Sequence, residues 1–405
     1  MEEESPIQNG NKDCRKMKVL FVNVIDTNKA IQKRFYPLAF GYLTSYCHKH
    51  GVDFKHYYAE EVVKEVLQRS QPDVVCLTSI TENYVLAQHY AEITKKLNEN
   101  IKVVIGGVHI SAVPDSLSGN MDIGVLGEGE ETFKELVSVG FEPTDKIKGI
   151  IYRKRGILLK TDERPLIEPL DNIPYPDRTI FNLENRPHYI FTSRGCCYRC
   201  KFCSSSRFWK KVRFHRAEYV LEELQQLKNH FHVKHVNIYD DLFIMDVERV
   251  KKIRDLVKPL GLSYSVAARA NLVTDDVVAV LKDMNVVSVG IGMESYSQRI
   301  LDYLDKVNTT EDNQRAINII RKHKIHLHCS FIRNVPIETK EDLNETYRFI
   351  RRNKLSYDMY RLMKFPNTPL YEGSTDWDSL KVKCYVPLHL KLRRVAEKII
   401  SVKKS

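Results

Sequence analysis

The sequence predicts an α/β protein of two units, a doubly wound parallel sheet followed by a six-stranded partial β/α barrel. Three observations predict it. Continuous apolar runs of four to seven residues alternate with stretches whose apolar positions recur at helical spacing, the pattern of parallel strands covered on both faces. A segment holding four prolines breaks this alternation between residues 164 and 178. The alternation then resumes for six more units, and 405 residues are enough for both.

Residues 1–16 open on an acidic stretch with no apolar segment behind it, so they read as a disordered tail and not as a secretory signal. The first unit spans 17–140. The run from Lys18 to Val24 reads as a buried strand, and residues 37–50 read as a helix stopped at Gly51. Residues 72–78 and 102–105 give two more buried strands around a helix over 84–97, followed by Gly106-Gly107, a short strand near 123–125 and a helix opening at Glu130. Strands alternating with helices imply a parallel, doubly wound order.

Residues 141–187 form a connector. Within it, 148–160 reads as a hairpin turning at Lys154-Arg155-Gly156, and Pro165, Pro169, Pro174 and Pro176 keep the remainder extended. The barrel spans 188–368, with strands expected over 189–192, 235–239, 263–267, 287–292, 326–332 and 358–363. In such a barrel functional groups gather at the C-terminal strand ends. Residues 369–405 form a short basic extension.

Composition excludes several classes. With 43% hydrophobic and 28% charged residues the chain is globular, and no apolar run approaches the ~20 residues of a membrane helix. A cytoplasmic protein without membrane contact is expected. The net charge of +11 is uneven: Lys381, Lys383, Lys391, Arg393, Arg394, Lys398, Lys403 and Lys404 face Glu397 alone, so this tail supplies +7 and the rest only +4. That distribution argues against a nucleic-acid-binding protein. In the tail Leu388, Leu392, Val395, Ile399 and Val402 recur at helical spacing. It reads as a final helix with a solvated basic face, or as a docking surface for an acidic partner.

Nine cysteines are many for a reducing compartment. Cys14, Cys47, Cys76, Cys329 and Cys384 are scattered, and packing is their default. Cys196, Cys197, Cys200 and Cys203 crowd one loop just after the first barrel strand. Cys196, Cys200 and Cys203 form Cys-x3-Cys-x2-Cys. Three thiolates at this spacing can ligate a four-iron four-sulfur cluster and leave one iron open. Structural zinc normally takes four protein ligands, and no fourth ligand of metal type follows nearby.

This cysteine pattern, with Phe202 before the third cysteine, resembles the signature of the radical S-adenosylmethionine (SAM) superfamily. Other segments at strand ends are similar to that family as well. Tyr239-Asp240-Asp241 resembles the segment that holds the SAM amino group, Arg269 a basic residue common at the third strand, and Glu294 the ribose contact of the fourth. Arg333-Asn334 resembles the segment beside the adenine. Asn334 and Asn367 stand where the family usually has glycine; Asn tolerates the left-handed conformation that such a turn requires. Taken alone, the Asp pair also suits a helix cap and Arg269 a surface ion pair.

The first unit resembles the cobalamin-binding domain of the class B members of that family. The similar pieces are residues 34–43, Ser79 with Thr81, Gly106-Gly107 with His109, and Gly127-Glu128-Gly129. The Asp-x-His-x-x-Gly motif of other cobalamin proteins is absent, so no histidine from it would ligate cobalt. His109 reads equally as a corrin contact or as a loop histidine bonded to backbone.

The resemblance implies a 4Fe-4S cluster, SAM and cobalamin, used as methylcobalamin, with a one-electron reductant such as ferredoxin or flavodoxin. Reductive cleavage of SAM would give a 5′-deoxyadenosyl radical that abstracts hydrogen from an unactivated carbon, which methylcobalamin then methylates. A C-methyltransferase is therefore expected. The substrate is a small molecule, a peptide or a protein, and the short C-terminal extension favours a peptide or protein segment. The alternatives are a cobalamin-assisted rearrangement, cyclisation or oxidation, and a non-catalytic cobalamin or iron-sulfur carrier. The basic and aromatic loop 207–213 is a candidate contact for cobalamin or substrate, and an inward-facing Cys197, His328 or Cys329 a candidate hydrogen donor.

Overall fold

A computed structural model describes residues 16–373 apart from 26–31, 33, 34, 63 and 185. The acidic N-terminal tail to residue 15, Arg34 of the cobalamin-domain match, Cys14, Cys384 and the basic C-terminal pattern lie outside the described residues.

The first sheet holds β1 (Lys18–Asn23), β2 (Lys55–Ala59), β3 (Val74–Thr78), β4 (Lys102–Gly106), β5 (Ile123–Val125), β6 (Ile150–Lys154) and β7 (Ile157–Lys160), in the order β2-β1-β3-β4-β5-β6-β7. The pairs from β2 to β5 are parallel. The apolar run of β1 explains why helices cover both faces. Val19 and Phe21 enter one core with Phe40 and Phe133 from the helices Leu38–Lys49 and Glu130–Ser138, while Leu20 and Val22 enter another with Tyr84 and Ala87 from the helix Tyr84–Leu97. Phe21 and Phe40 stack at 4.5 Å.

The hairpin expected in the connector instead extends this sheet. Ile150, Ile151 and Tyr152 are buried, and β6 pairs antiparallel with β5. Pairing with the open edge of β5 puts Ile150 and Tyr152 into the core with Phe133 and Ile151 into the core with Tyr84, so both faces of the strand are covered.

The second sheet runs β8-β11-β12-β13-β14-β15, all parallel, from β8 (His188–Ile190), β11 (His235–Ile238), β12 (Ser263–Ala268), β13 (Val286–Glu294), β14 (His326–Arg333) and β15 (Ser356–Arg361). Alternate residues such as Val289, Ile291 and Met293 pack against the outer helices. Their neighbours Ser288, Gly290 and Gly292 face inward. A short antiparallel pair, β9 (Ser193–Arg194) with β10 (Arg213–Phe214), sits between the sheets.

Cys47, Cys76 and Cys329 are fully or nearly fully buried. Burial pushes the Cys47 and Cys329 thiols up to about 12, so they are inert packing residues. Cys329 turns into the helix-facing core, whereas His328 faces inward and bonds through Nε2 to Asp358 at 3.1 Å. Among the described residues no helix is long and apolar enough to cross a membrane.

Candidate functional site

The cysteine loop is positioned from both ends. After β8 the chain bends at Thr192, where the buried Asp240 carboxylate accepts from Thr192 N at 2.6 Å, Thr192 Oγ1 at 2.5 Å and Ser193 N at 3.1 Å. Gly195 then turns at φ 103°, and a Cβ there would meet the Lys211 carbonyl at 2.4 Å, so only glycine fits. Arg207 closes the far end by donating from Nη1 to the carbonyls of Cys200 at 3.0 Å and Cys203 at 2.7 Å.

Cys200 is buried, and Cys196 and Cys203 are half-buried. Burial pushes the Cys196 thiol up to about 11 and raises that of Cys203. Metal ligation reverses this, since a coordinating thiol is deprotonated outright. Among the described residues no three Cys, His, Asp or Glu side chains converge on one point to hold a single metal ion. An anionic iron-sulfur cluster fits better, because a cation waits for it. Arg269 is 6% exposed and donates from Nη1 to Cys200 Sγ at 3.4 Å, while its Nε and Nη2 have no partner among the described residues. A buried guanidinium left this way calls for negative charge.

Glu294 ends β13 at φ 59° and is buried against Lys306, Nζ to Oε1 2.8 Å. Gly292 makes room for that carboxylate: a Cβ there would lie 2.4 Å from Glu294 Oε1. Lys306 also lies 5.9 Å from the Phe202 ring centroid, tying the Glu294 pair to the cysteine loop. Asn334 and Asn367 have φ of 63° and 64°, the left-handed turns expected of them. Arg333 pairs in register with Arg361 at the same strand ends.

Between the sheets lies an open cleft. Phe40, Leu43, Leu77, Val104 and Phe133 line it from the first domain, and Phe191, Arg194, Trp209, Tyr239 and Asp241 from the second. A second cleft shares Val108, Gly127, Glu128 and Phe208 with it and reaches Thr81, Ser204, Arg207 and Asn367. Gly106, Gly107 and Gly129 line the first cleft. A Cβ built on Gly106 or Gly127 meets nothing within 4 Å, which leaves open cradles for a large ligand. Gly107 serves packing as well, since a Cβ there would strike the Ser79 carbonyl at 2.6 Å.

Four expected ligand contacts turn out differently. Asp240 is taken up by the Thr192 bend, and of the acidic pair only Asp241 stays exposed, accepting from Ser205 at the cleft rim. His109 is fully buried in the helix Val108–Ala112, stacked on Tyr84 at 3.9 Å and bonded to Thr81 Oγ1 and Ser116 Oγ, both at 3.2 Å. It lines neither cleft. Ser79 is buried behind Gly107 and also lines neither. Glu128 reaches both clefts, but its carboxylate is occupied by Arg194, Arg213 and the Ile167 amide.

Arg194, Lys306 and Tyr198 carry no sign of these roles in the sequence, because Glu128 and Glu130, Glu294, and Arg269 and Asn271 meet them only in the fold. The loop 207–213 sends Phe208 and Trp209 to the cleft, yet three of its four cations are paired, Lys210 with Glu163, Lys211 with Glu168 and Arg213 with Glu128, while Arg207 is spent on the cysteine-loop carbonyls.

Comparison with known proteins agrees with this geometry. Residues 190–350 match the radical SAM superfamily and residues 27–137 match the B12 binding domain. The chain is 32% identical over 357 residues to an uncharacterized methyltransferase of Pyrococcus horikoshii, covering 83% of this chain and 78% of the relative. It is 28% identical over 360 residues to the anaerobic magnesium-protoporphyrin IX monomethyl ester cyclase of Cereibacter sphaeroides, covering 82% of this chain and 58% of the cyclase. Among solved structures, the radical SAM methyltransferase TsrM of Kitasatospora setae, with cobalamin and a [4Fe-4S] cluster bound, superposes with TM-score 0.73 at 18% identity, covering 88% of this chain and 74% of TsrM. The chain belongs to the class B radical SAM enzymes, in which a cobalamin-binding domain precedes the radical SAM core.

Proposed function

We propose that this enzyme is a cobalamin-dependent methyltransferase that alkylates an unactivated carbon. The observation that carries this reading is the cleft between the C-terminal strand edges of the two sheets, whose rim residue Asp241 is bonded to Ser205 just beyond the cysteine loop. A corrin held there would lie beside the cluster.

When bound, the reduced cluster with SAM supplies a carbon-centred radical, and methylcobalamin supplies the methyl group. Cys196, Cys200 and Cys203 hold the cluster. Glu294, positioned by Lys306, and Asp241 serve the polar groups of SAM, with Arg333 and Asn334 beside its adenine. Tyr239, Gly106, Gly107, Gly127 and Gly129 line the corrin side, and Phe208 and Trp209 exclude water from it.

The test is reconstitution with iron, sulfide and hydroxocobalamin. Corrin absorption that survives desalting, and equal amounts of 5′-deoxyadenosine and S-adenosylhomocysteine with the true substrate, support the reading. Corrin bands lost on desalting would sink it. The likeness to the cyclase favours a second reading, radical chemistry without methyl transfer; 5′-deoxyadenosine formed without S-adenosylhomocysteine would select that one.

A further inference from the structure

Two side chains from the exit of β12 grip the cysteine loop, and no ligand is needed for either contact. Arg269 donates from Nη1 to Cys200 Sγ at 3.4 Å, and its guanidinium lies over the Tyr198 ring, 3.7 Å from the centroid. Two residues on, Asn271 donates from Nδ2 to the Tyr198 hydroxyl at 3.0 Å. Tyr198 lies between Cys196 and Cys200, so the clamp acts at the centre of the Cys-x3-Cys segment. Among the described residues Arg269 makes no ion pair, and it is 6% exposed. A cation over an aromatic face is held without being neutralised.

We propose that Arg269, held by Tyr198, is a positioning residue for Cys200 that sets the reduction potential of the cluster, independently of any contact with SAM. Hydrogen bonds to cluster sulfurs and nearby positive charge tune iron-sulfur potentials. Reduction adds one negative charge to an already anionic cluster. A buried cation beside one of its thiolates stabilises the reduced form more than the oxidised form, and its removal lowers the potential.

The inference rests on the reading of the loop as a cluster site, and the experiment separates the two. The full chain is reconstituted anaerobically with iron and sulfide alone, and its one-electron midpoint is measured by EPR-monitored redox titration without SAM. Arg269→Gln is expected to shift the reduction equilibrium at least tenfold toward the oxidised cluster, ~59 mV for one electron. Arg269→Lys keeps the charge and is expected to shift it by less than half as much. Tyr198→Leu removes the stack at a half-buried loop position and is expected to move the midpoint in the same direction, which decides the matter if Arg269→Gln fails to fold. A midpoint equal to that of the unaltered protein in the Arg269→Gln and Tyr198→Leu proteins would overturn the proposal and leave Arg269 to SAM alone. A wild-type chain that takes up no reducible cluster would overturn the cluster reading itself.

Discussion

Arg194, two residues before the first cluster cysteine, donates to Glu128 at 2.5 Å and to Glu130 at 2.7 Å, both at the end of the first sheet. The two domains are thus joined by a buried charge network, completed by the paired bonds of Arg213 to Glu128 at 2.8 and 2.9 Å. Burial raises the Glu128 carboxyl, but Arg213 and Arg194 more than reverse this and hold it below its ordinary value. The link fixes the cleft between the domains, since Arg194, Glu128 and Glu130 all line it.

Removing the shared acid strands the buried Arg213 and leaves Arg194 with Glu130 alone. Glu128→Ala is expected to cost about 3–5 kcal/mol, the range for breaking one side of a buried ion pair. Urea unfolding measures it. A loss below ~1 kcal/mol, typical of an exposed pair, would show the network to be water-screened.

His109 gives a pH dependence. Burial lowers its folded pKa to about 4, whereas an unfolded histidine takes its proton near 6.5. Between these values the unfolded chain binds more protons, so this contribution is complete above ~6.5 and is lost as pH falls toward 4. At pH 5 the loss is about 2 kcal/mol. His109→Asn is expected to show a shallower decline in urea midpoint from pH 7 to pH 5, with the cobalamin spectrum unchanged. A changed spectrum would restore His109 as a corrin contact.

Gly292→Ala places a methyl group against the Glu294 carboxylate. The side chain has to swing away from its pocket beside Lys306. SAM affinity of the cluster-loaded protein, read by equilibrium dialysis, is expected to fall at least tenfold, ~1.4 kcal/mol, with the circular dichroism spectrum retained. Unaltered affinity would remove Glu294 from the SAM site.

Asn334 sits at φ 63°, where an ordinary side chain is strained by about 1–2 kcal/mol. Asn334→Gly is expected to leave the melting temperature nearly unchanged and Asn334→Ala to lower it by a few degrees. Equal melting temperatures for the two variants would contradict a strained turn.

Much of this was legible in the sequence because it is local. The apolar run of β1 requires two covered faces, and the cysteine spacing is a loop property. Asn334 and Asn367 announced their left-handed turns by standing where the resembled family has glycine, in a residue type that tolerates that conformation. The remainder depends on meetings across long stretches of chain. Asp240 at a strand end suits a ligand or a backbone bend equally, and Thr192, 48 residues earlier, decides. Glu128 lies in a glycine-rich loop like a ligand contact, but two arginines 66 and 85 residues away claim it. The hairpin 150–160 carries no mark of the sheet it joins; the open edge of β5 supplies that.

The most direct measurement is 5′-deoxyadenosine release from SAM by the anaerobically reconstituted chain with a one-electron reductant, compared with Cys200→Ala. The wild-type protein is expected to release it and Cys200→Ala to release none, because Cys200 is the buried member of the three-thiol set. Release by Cys200→Ala at the wild-type rate, or none from the wild-type protein, would contradict a SAM-cleaving cluster at Cys196, Cys200 and Cys203.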